Sequence, residues 1–289
     1  MSEETSARTL WSLVVAYAAY IALSVAGLLP LGVSLLIAVS LPAVFAILHG
    51  AVRYKWRGIL AFVLITFVIS SIFENVGVAT GFPFGHYCYT KVLGQKLFYV
   101  PLLVAPAYFG TGYLSWMLAS VIVGQVRRGG SRFTTIAVPF VASFIMVSWD
   151  VCFDPASSTL NKEWIWKNGG GYFGVPLTNY LGWFLTVYVL FQTFALYLRA
   201  KDRRDESDPP LAARYWWQAI TFYGLIAVQF PLDFLVAEPG TMVDKTGTVW
   251  IIRDFRETAA IASLCTMFFA VAVASVKLLQ ERYGADSVD

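Results

Sequence analysis

Long apolar runs alternate with short polar connections along this chain, and the runs have the length of membrane-spanning helices. About 20 consecutive apolar residues let a helix cross the hydrocarbon core of a bilayer. Eight windows approach that length, at 10–28, 31–50, 58–76, 98–126, 133–153, 177–199, 215–236 and 258–279. The fourth holds Pro101, Pro106, Gly110 and Gly112, so a kinked helix or an interfacial start is expected there. The pattern predicts an all-α integral membrane protein, a polytopic bundle of about eight transmembrane helices (seven to eight). It is expected to form one domain over 1–289, with 201–210 (KDRRDESDPP) as a polar linker between the sixth and seventh helices.

Orientation follows from lysine and arginine. With a cytoplasmic amino terminus, fourteen of these residues fall in cytoplasmic segments and seven on the other face. The positive-inside rule then places both termini in the cytoplasm of a multi-pass protein of the cell membrane. The polar start MSEETSART leads into an apolar run of spanning length, so no cleaved signal is expected and the first helix is retained.

Composition narrows the chemistry. At 58% hydrophobic and 13% charged, the chain lies far from the soluble balance, in which roughly a quarter of residues are charged. A net charge of +3, spread by topology, gives no reason to expect nucleic acid as a partner. Cys88, Cys152 and Cys265 form no CxxC pair, which leaves redox and zinc-ribbon readings unsupported. Only His49 and His86 are present, too few for a histidine-rich di-iron centre. No metal and no cofactor are expected.

The motif-like sequence lies in three longer loops, after the third, fifth and seventh helices. Each of those helices ends in an acid: Glu74 in SIFENVG, Asp150 and Asp154 in VSWDVCFDP, and Asp233 in QFPLDFL. An ionisable side chain in an apolar run is costly unless it has a partner or a task. Alternating helix direction brings all three ends to one membrane face, where the carboxylates could converge; the alternative is pairing with Arg253, Arg256 or Lys167 as structural ion pairs. Asp150 and Asp154 share a face if the helix survives to Asp154, a condition Pro155 opposes. Asn75, Pro83, Phe84, His86, Tyr87 and Tyr89 follow Glu74, while Trp149 precedes the Asp150–Asp154 pair and Tyr172 and Asn179 follow it. These nine are candidates for binding substrate or for hydrogen-bonding the acids. Trp164 and Trp166 read as an interfacial aromatic belt, and Gly169, Gly170 and Gly171 as a hinge or a point of close backbone approach.

The segments FENVGVATGFPFGHYCYT, WDVCFDP and GGGYFGVPLTNYLGW, in that order, resemble the membrane-embedded carotenoid biosynthesis family, which includes bisanhydrobacterioruberin and gamma-carotene hydratases. The similarity is read from about the third helix to the eighth, and the first two helices add nothing to it. The resemblance implies a carbon–oxygen lyase of carotenoid biosynthesis that needs no redox cofactor. It would add water across the terminal isopropylidene double bond (1,2 position) of a long, apolar, acyclic carotenoid such as a bacterioruberin precursor. That reaction needs an acid to protonate the alkene, a site tolerating a tertiary cation, and a carboxylate to orient water. Glu74 or Asp150 is the expected donor, with another of Glu74, Asp150, Asp154 and Asp233 orienting water.

Two other classes stay open. The Asp150–Asp154 spacing suits the magnesium-diphosphate site of an intramembrane prenyltransferase acting on an isoprenoid. An aromatic-rich bundle also suits a non-enzymatic carotenoid or lipid carrier. Besides substrate and water, membrane lipid is the expected partner.

Overall fold

The computed structural model describes residues 3–202 and 211–286. Most of the 201–210 linker, with Arg203 and Arg204 of the charge count, lies outside the described residues, as does the Arg282 side chain. Each predicted apolar window overlaps a helix: α1 (Glu3–Val25), α2 (Leu31–Thr80), α3 (Val104–Val123), α4 (Arg132–Asp154), α5 (Leu177–Lys201), α6 (Ala213–Leu235), α7 (Ile252–Ala262) and α8 (Phe268–Asp286). Six helical segments are long and apolar enough to cross a membrane, which makes this a multi-pass membrane protein.

Six rather than eight qualify for two physical reasons. The windows 31–50 and 58–76 belong to one 50-residue helical segment, α2, interrupted at Lys55 (φ 56, ψ 172). Its two arms fold back on each other, because a Cβ on Gly50 would lie 2.5 Å from Ile59 Cδ1, nine residues on, where a straight helix would hold them about 14 Å apart. In helix α3 Gly, Thr, Ser and Tyr interrupt the apolar run, and every residue from 108 to 121 on it is buried. It is the central post of the bundle. Trp116 and Tyr113 on α3 meet Phe62 of α2 and Phe191 and Phe194 of α5 in one fully buried aromatic core.

The fourth window begins with an interfacial hairpin, not a helix. Strands β2 (Lys96–Leu97) and β3 (Val100–Pro101) pair antiparallel through Phe98 (φ 56), and α3 starts only at Val104. At the other end of the chain, α7 passes into α8 through a π-helical stretch, Ser263–Met267. Strands β5 (Thr241–Val243) and β6 (Val249–Ile251) form a hairpin ahead of α7.

Pro155 does not end α4. Asp154 keeps helical angles (φ −59, ψ −44), and the chain continues as a π-helix, Pro155–Leu160. The wider π turn accommodates a residue without an N–H group, so Asp150 and Asp154 do share one helix face.

Candidate active site

Glu74 sits six residues before the end of α2 and is 3% exposed. Gly81 caps the helix in the left-handed region (φ 85), its N–H bonded to the Gly77 carbonyl. The chain then doubles back over the helix end. That return requires Gly77, because a Cβ there would lie 2.7 Å from the Phe84 ring. It delivers strand β1 (Tyr87–Tyr89), whose alternate residues point the same way. Tyr87 Oη and Tyr89 Oη both donate to Glu74 Oε2, at 2.5 and 2.8 Å, and Tyr108 Oη of α3 donates to Oε1 at 2.7 Å. Burial first, and the Glu74 carboxyl second, hold the Tyr87 and Tyr89 phenols well above their usual range. Both therefore remain O–H donors at any ordinary pH.

Strand β4 (Trp164–Trp166) pairs antiparallel with β1, Tyr87 opposite Trp166 and Tyr89 opposite Trp164. Directly opposed residues of a ribbon share a face, so the two tyrosines and the two tryptophans line up together. Trp164 Nε1 donates to Asp154 Oδ1 at 2.9 Å, and Trp166 Nε1 reaches the same oxygen at 3.4 Å. These indoles serve an acid instead of forming an outward belt. The opposite side of the pair is held by Asn179 of α5, whose Nδ2 donates to Asp150 Oδ2 (2.9 Å) and to Asp154 Oδ2 (2.6 Å). Asp150, Asp154 and Asn179 are each 1% exposed.

A cavity of about 380 Å³ opens between these groups, and Glu74, Asp154, Asn179 and Asp233 all line it. Acids from the ends of three helices thus share one space. Asp150 is buried and does not line the cavity. Asp233, on α6, faces the cavity but is paired with Arg256 of α7 at 3.5 Å, the structural ion pair weighed for it above. Aromatic faces close the space: Tyr108 and Trp183 stack with centroids 4.3 Å apart and planes at 4°, Trp149 packs against Trp183, and Phe84 and Phe153 complete the wall.

The remaining candidates sit outside the cavity. Asn75 donates to the Ser71 carbonyl and accepts from the Tyr99 N–H, tying α2 to the β2–β3 hairpin. His86 is exposed and lies over Gly81. Pro83, joined to Phe82 by a cis peptide, sets its carbonyl against Gly182. Tyr172 Oη donates to the Val151 carbonyl and braces the end of α4. In the glycine run, Gly170 meets a close approach: a Cβ there would lie 2.2 Å from the Val175 carbonyl group.

Three lining groups were not singled out from sequence: Tyr108, Trp183 and Glu163. Tyr108 and Trp183 sit within apolar runs that mark them only as aromatic. Glu163 is 1% exposed, accepts from Asn161 Nδ2 at 3.2 Å, and has its carboxyl pushed up to about 7 by burial, with Asn161 and Ser157 opposing the rise. Its burial depends on the Thr90 N–H bond to its carbonyl and its own N–H bond to Ser157, which no local sequence signal reports.

Residues 31–238 match the family model described as "Carotenoid biosynthesis protein". The chain belongs to that family. The match starts at α2 and ends just past α6, so it takes in the second predicted span, which the sequence reading left out, and stops short of the last span. It contains Glu74, Asp150, Asp154, Glu163 and Asp233. A curated relative, bisanhydrobacterioruberin hydratase of Haloarcula japonica, is 32% identical over 157 residues, covering 53% of this chain and 50% of that protein. The chain therefore spans about half the length of the relative it matches. No solved structure matches this chain.

Proposed function

We propose that this protein is a carotenoid hydratase that adds water to the terminal isopropylidene double bond of an acyclic carotenoid. The observation that carries this reading is the pair of unlike carboxyl environments in one aromatic cavity. Glu74 receives three O–H donors on two oxygens, the surroundings of an ionised carboxylate. Asp154 also receives three N–H donors, but it shares the Asn179 amide with Asp150 and both are 1% exposed, and two carboxyls buried so close together do not both ionise, so the pair keeps one proton.

Asp154, which faces the cavity, gives its proton to the CH carbon of the double bond, and the positive charge develops on the dimethyl carbon. The rings of Trp183, Tyr108 and Phe153 offer that cation their negative faces, each worth roughly 0.5–2 kcal/mol. A water held by the Glu74–tyrosine cluster attacks the cation, and its proton passes to Glu74 and then back to the aspartate pair. The product is a tertiary alcohol, with no change of redox state and no cofactor. Counting both arms of α2, and α3, as crossings gives eight passes and puts the two termini on one side, with the cavity towards the opposite face.

Family membership and the resemblance to a named hydratase support the substrate class. Incubation of purified protein with an acyclic carotenoid in oxygen-18 water tests the reaction. One labelled oxygen per hydrated end is expected; unchanged carotenoid would favour a carrier.

A further inference from the structure

We infer that the polyene of the substrate leaves the site sideways into lipid between α1 and the first arm of α2, an inference that rests on the hydratase reading above. The cavity does not stop at the carboxylates. It continues as an apolar limb walled by Tyr17 and Tyr20 of α1 and by Leu35, Ala38 and Pro42 of α2. These positions recur at helical spacing, so one stripe of each helix faces the limb. At its far end the lining reaches Leu31, which is 52% exposed, so the limb meets the surface at the α1–α2 turn.

Size and surroundings identify the occupant. A volume of about 380 Å³ encloses a molecule of ordinary ligand size, whereas a carotenoid is a rod far longer than any such pocket. Once its end group sits by Asp154, the rest must pass out through a wall. The outward faces of α1 and α2 beside the limb carry Val15, Leu23, Val33 and Leu36, all exposed, as expected of surfaces in contact with acyl chains. A rod leaving there lies against these apolar faces. The helices are joined across the limb by hydroxyls, Tyr20 Oη to Ser34 Oγ at 3.1 Å and Ser24 Oγ to Ser34 Oγ at 3.2 Å, contacts that can part without opening the aromatic core. Helix α1 lies wholly outside the residues matched by the family model.

Leu35→Trp and Ala38→Phe fill the limb, and Leu36→Trp places the same bulk on the neighbouring lipid-facing position. Each variant is purified in detergent and assayed for retained lycopene absorbance and for hydration of lycopene and of citronellol, a short alcohol with the same isopropylidene end. The limb-filling variants are expected to bind lycopene roughly tenfold or more weakly while hydrating citronellol as the parent does, and Leu36→Trp to match the parent throughout. Lycopene binding unchanged in both limb variants, or weakened equally by Leu36→Trp, would overturn the inference. Should no protein hydrate either compound while the binding pattern holds, the hydratase reading fails and the lateral limb stands.

Discussion

Tyr87 and Trp166 face each other across a two-stranded ribbon, ring centroids 5.0 Å apart, and their polar atoms serve two different acids. The phenol donates to Glu74 on α2 and the indole to Asp154 on α4. The ribbon therefore sets the relative placement of two carboxyl groups that begin far apart in sequence. Removing one donor while keeping the ring tests its contribution. Tyr89→Phe and Tyr108→Phe each take one O–H from Glu74, a charge-assisted bond worth roughly 1.5–3 kcal/mol. Turnover of an acyclic carotenoid is expected to fall about tenfold or more in each, with retained carotenoid binding checking the fold.

The two indoles should differ. Trp164 reaches Asp154 Oδ1 at 2.9 Å and Trp166 only at 3.4 Å, and hydrogen bonds weaken with length. Trp164→Phe is expected to slow hydration several-fold more than Trp166→Phe, measured as initial rates. The reverse order would mean that ring packing, not the N–H donor, is what matters at this edge.

Glu163 gives a pH signature. Its carboxyl is raised to about 7 in the folded protein, against roughly 4.3 in an unfolded chain. Between those values the folded state holds the extra proton, so stability falls as pH rises through the window. The decline has an upper limit of roughly 4 kcal/mol. Thermal unfolding of the parent in detergent should shift down from pH 5 to pH 7, and Glu163→Gln should flatten that slope.

Backbone crowding makes a separate prediction at Gly182. A Cβ on this α5 residue would lie 2.8 Å from the Pro83 carbonyl group and the Phe84 ring, which have little room to move. Gly182→Ala should cost about 1–3 kcal/mol, read as a lower melting temperature. Gly224→Ala is the control, since only Val271 side-chain atoms at 3.8 and 3.9 Å would be near its Cβ.

Asp233 lines the cavity but already has Arg256 as a partner. Asp233→Asn is therefore expected to change hydration less than tenfold, far below the loss expected for an acid that protonates the substrate. Initial rates on the same carotenoid check this.

The spans were legible because burial in lipid demands unbroken apolar runs, and Glu74, Asp150, Asp154 and Asp233 were legible because acids interrupt such runs at a cost. Convergence of helix ends followed from alternation of direction. Other features depended on contacts that sequence does not display. The fold-back at Lys55 and the hairpin before α3 rest on single residues with positive φ, Lys55 and Phe98. Pro155 pointed to a helix end, but a π turn carried the helix past it. Trp164 and Trp166 had the composition of an interfacial belt, and only pairing with Tyr87 and Tyr89 turns their N–H groups to Asp154. Glu163 lay hidden in a polar loop because its burial comes from the partners it meets there.

The central claim is that Asp154 protonates the alkene. The most direct measurement follows carotenoid hydration in deuterated water by the parent and by Asp154→Asn, with carotenoid binding measured on the same preparations. The parent should place one solvent deuterium on the carbon next to each new tertiary alcohol. Asp154→Asn should bind carotenoid normally and form product about a hundredfold or more slowly. Hydration by Asp154→Asn at the parent rate, or product without solvent deuterium at that carbon, would contradict the account.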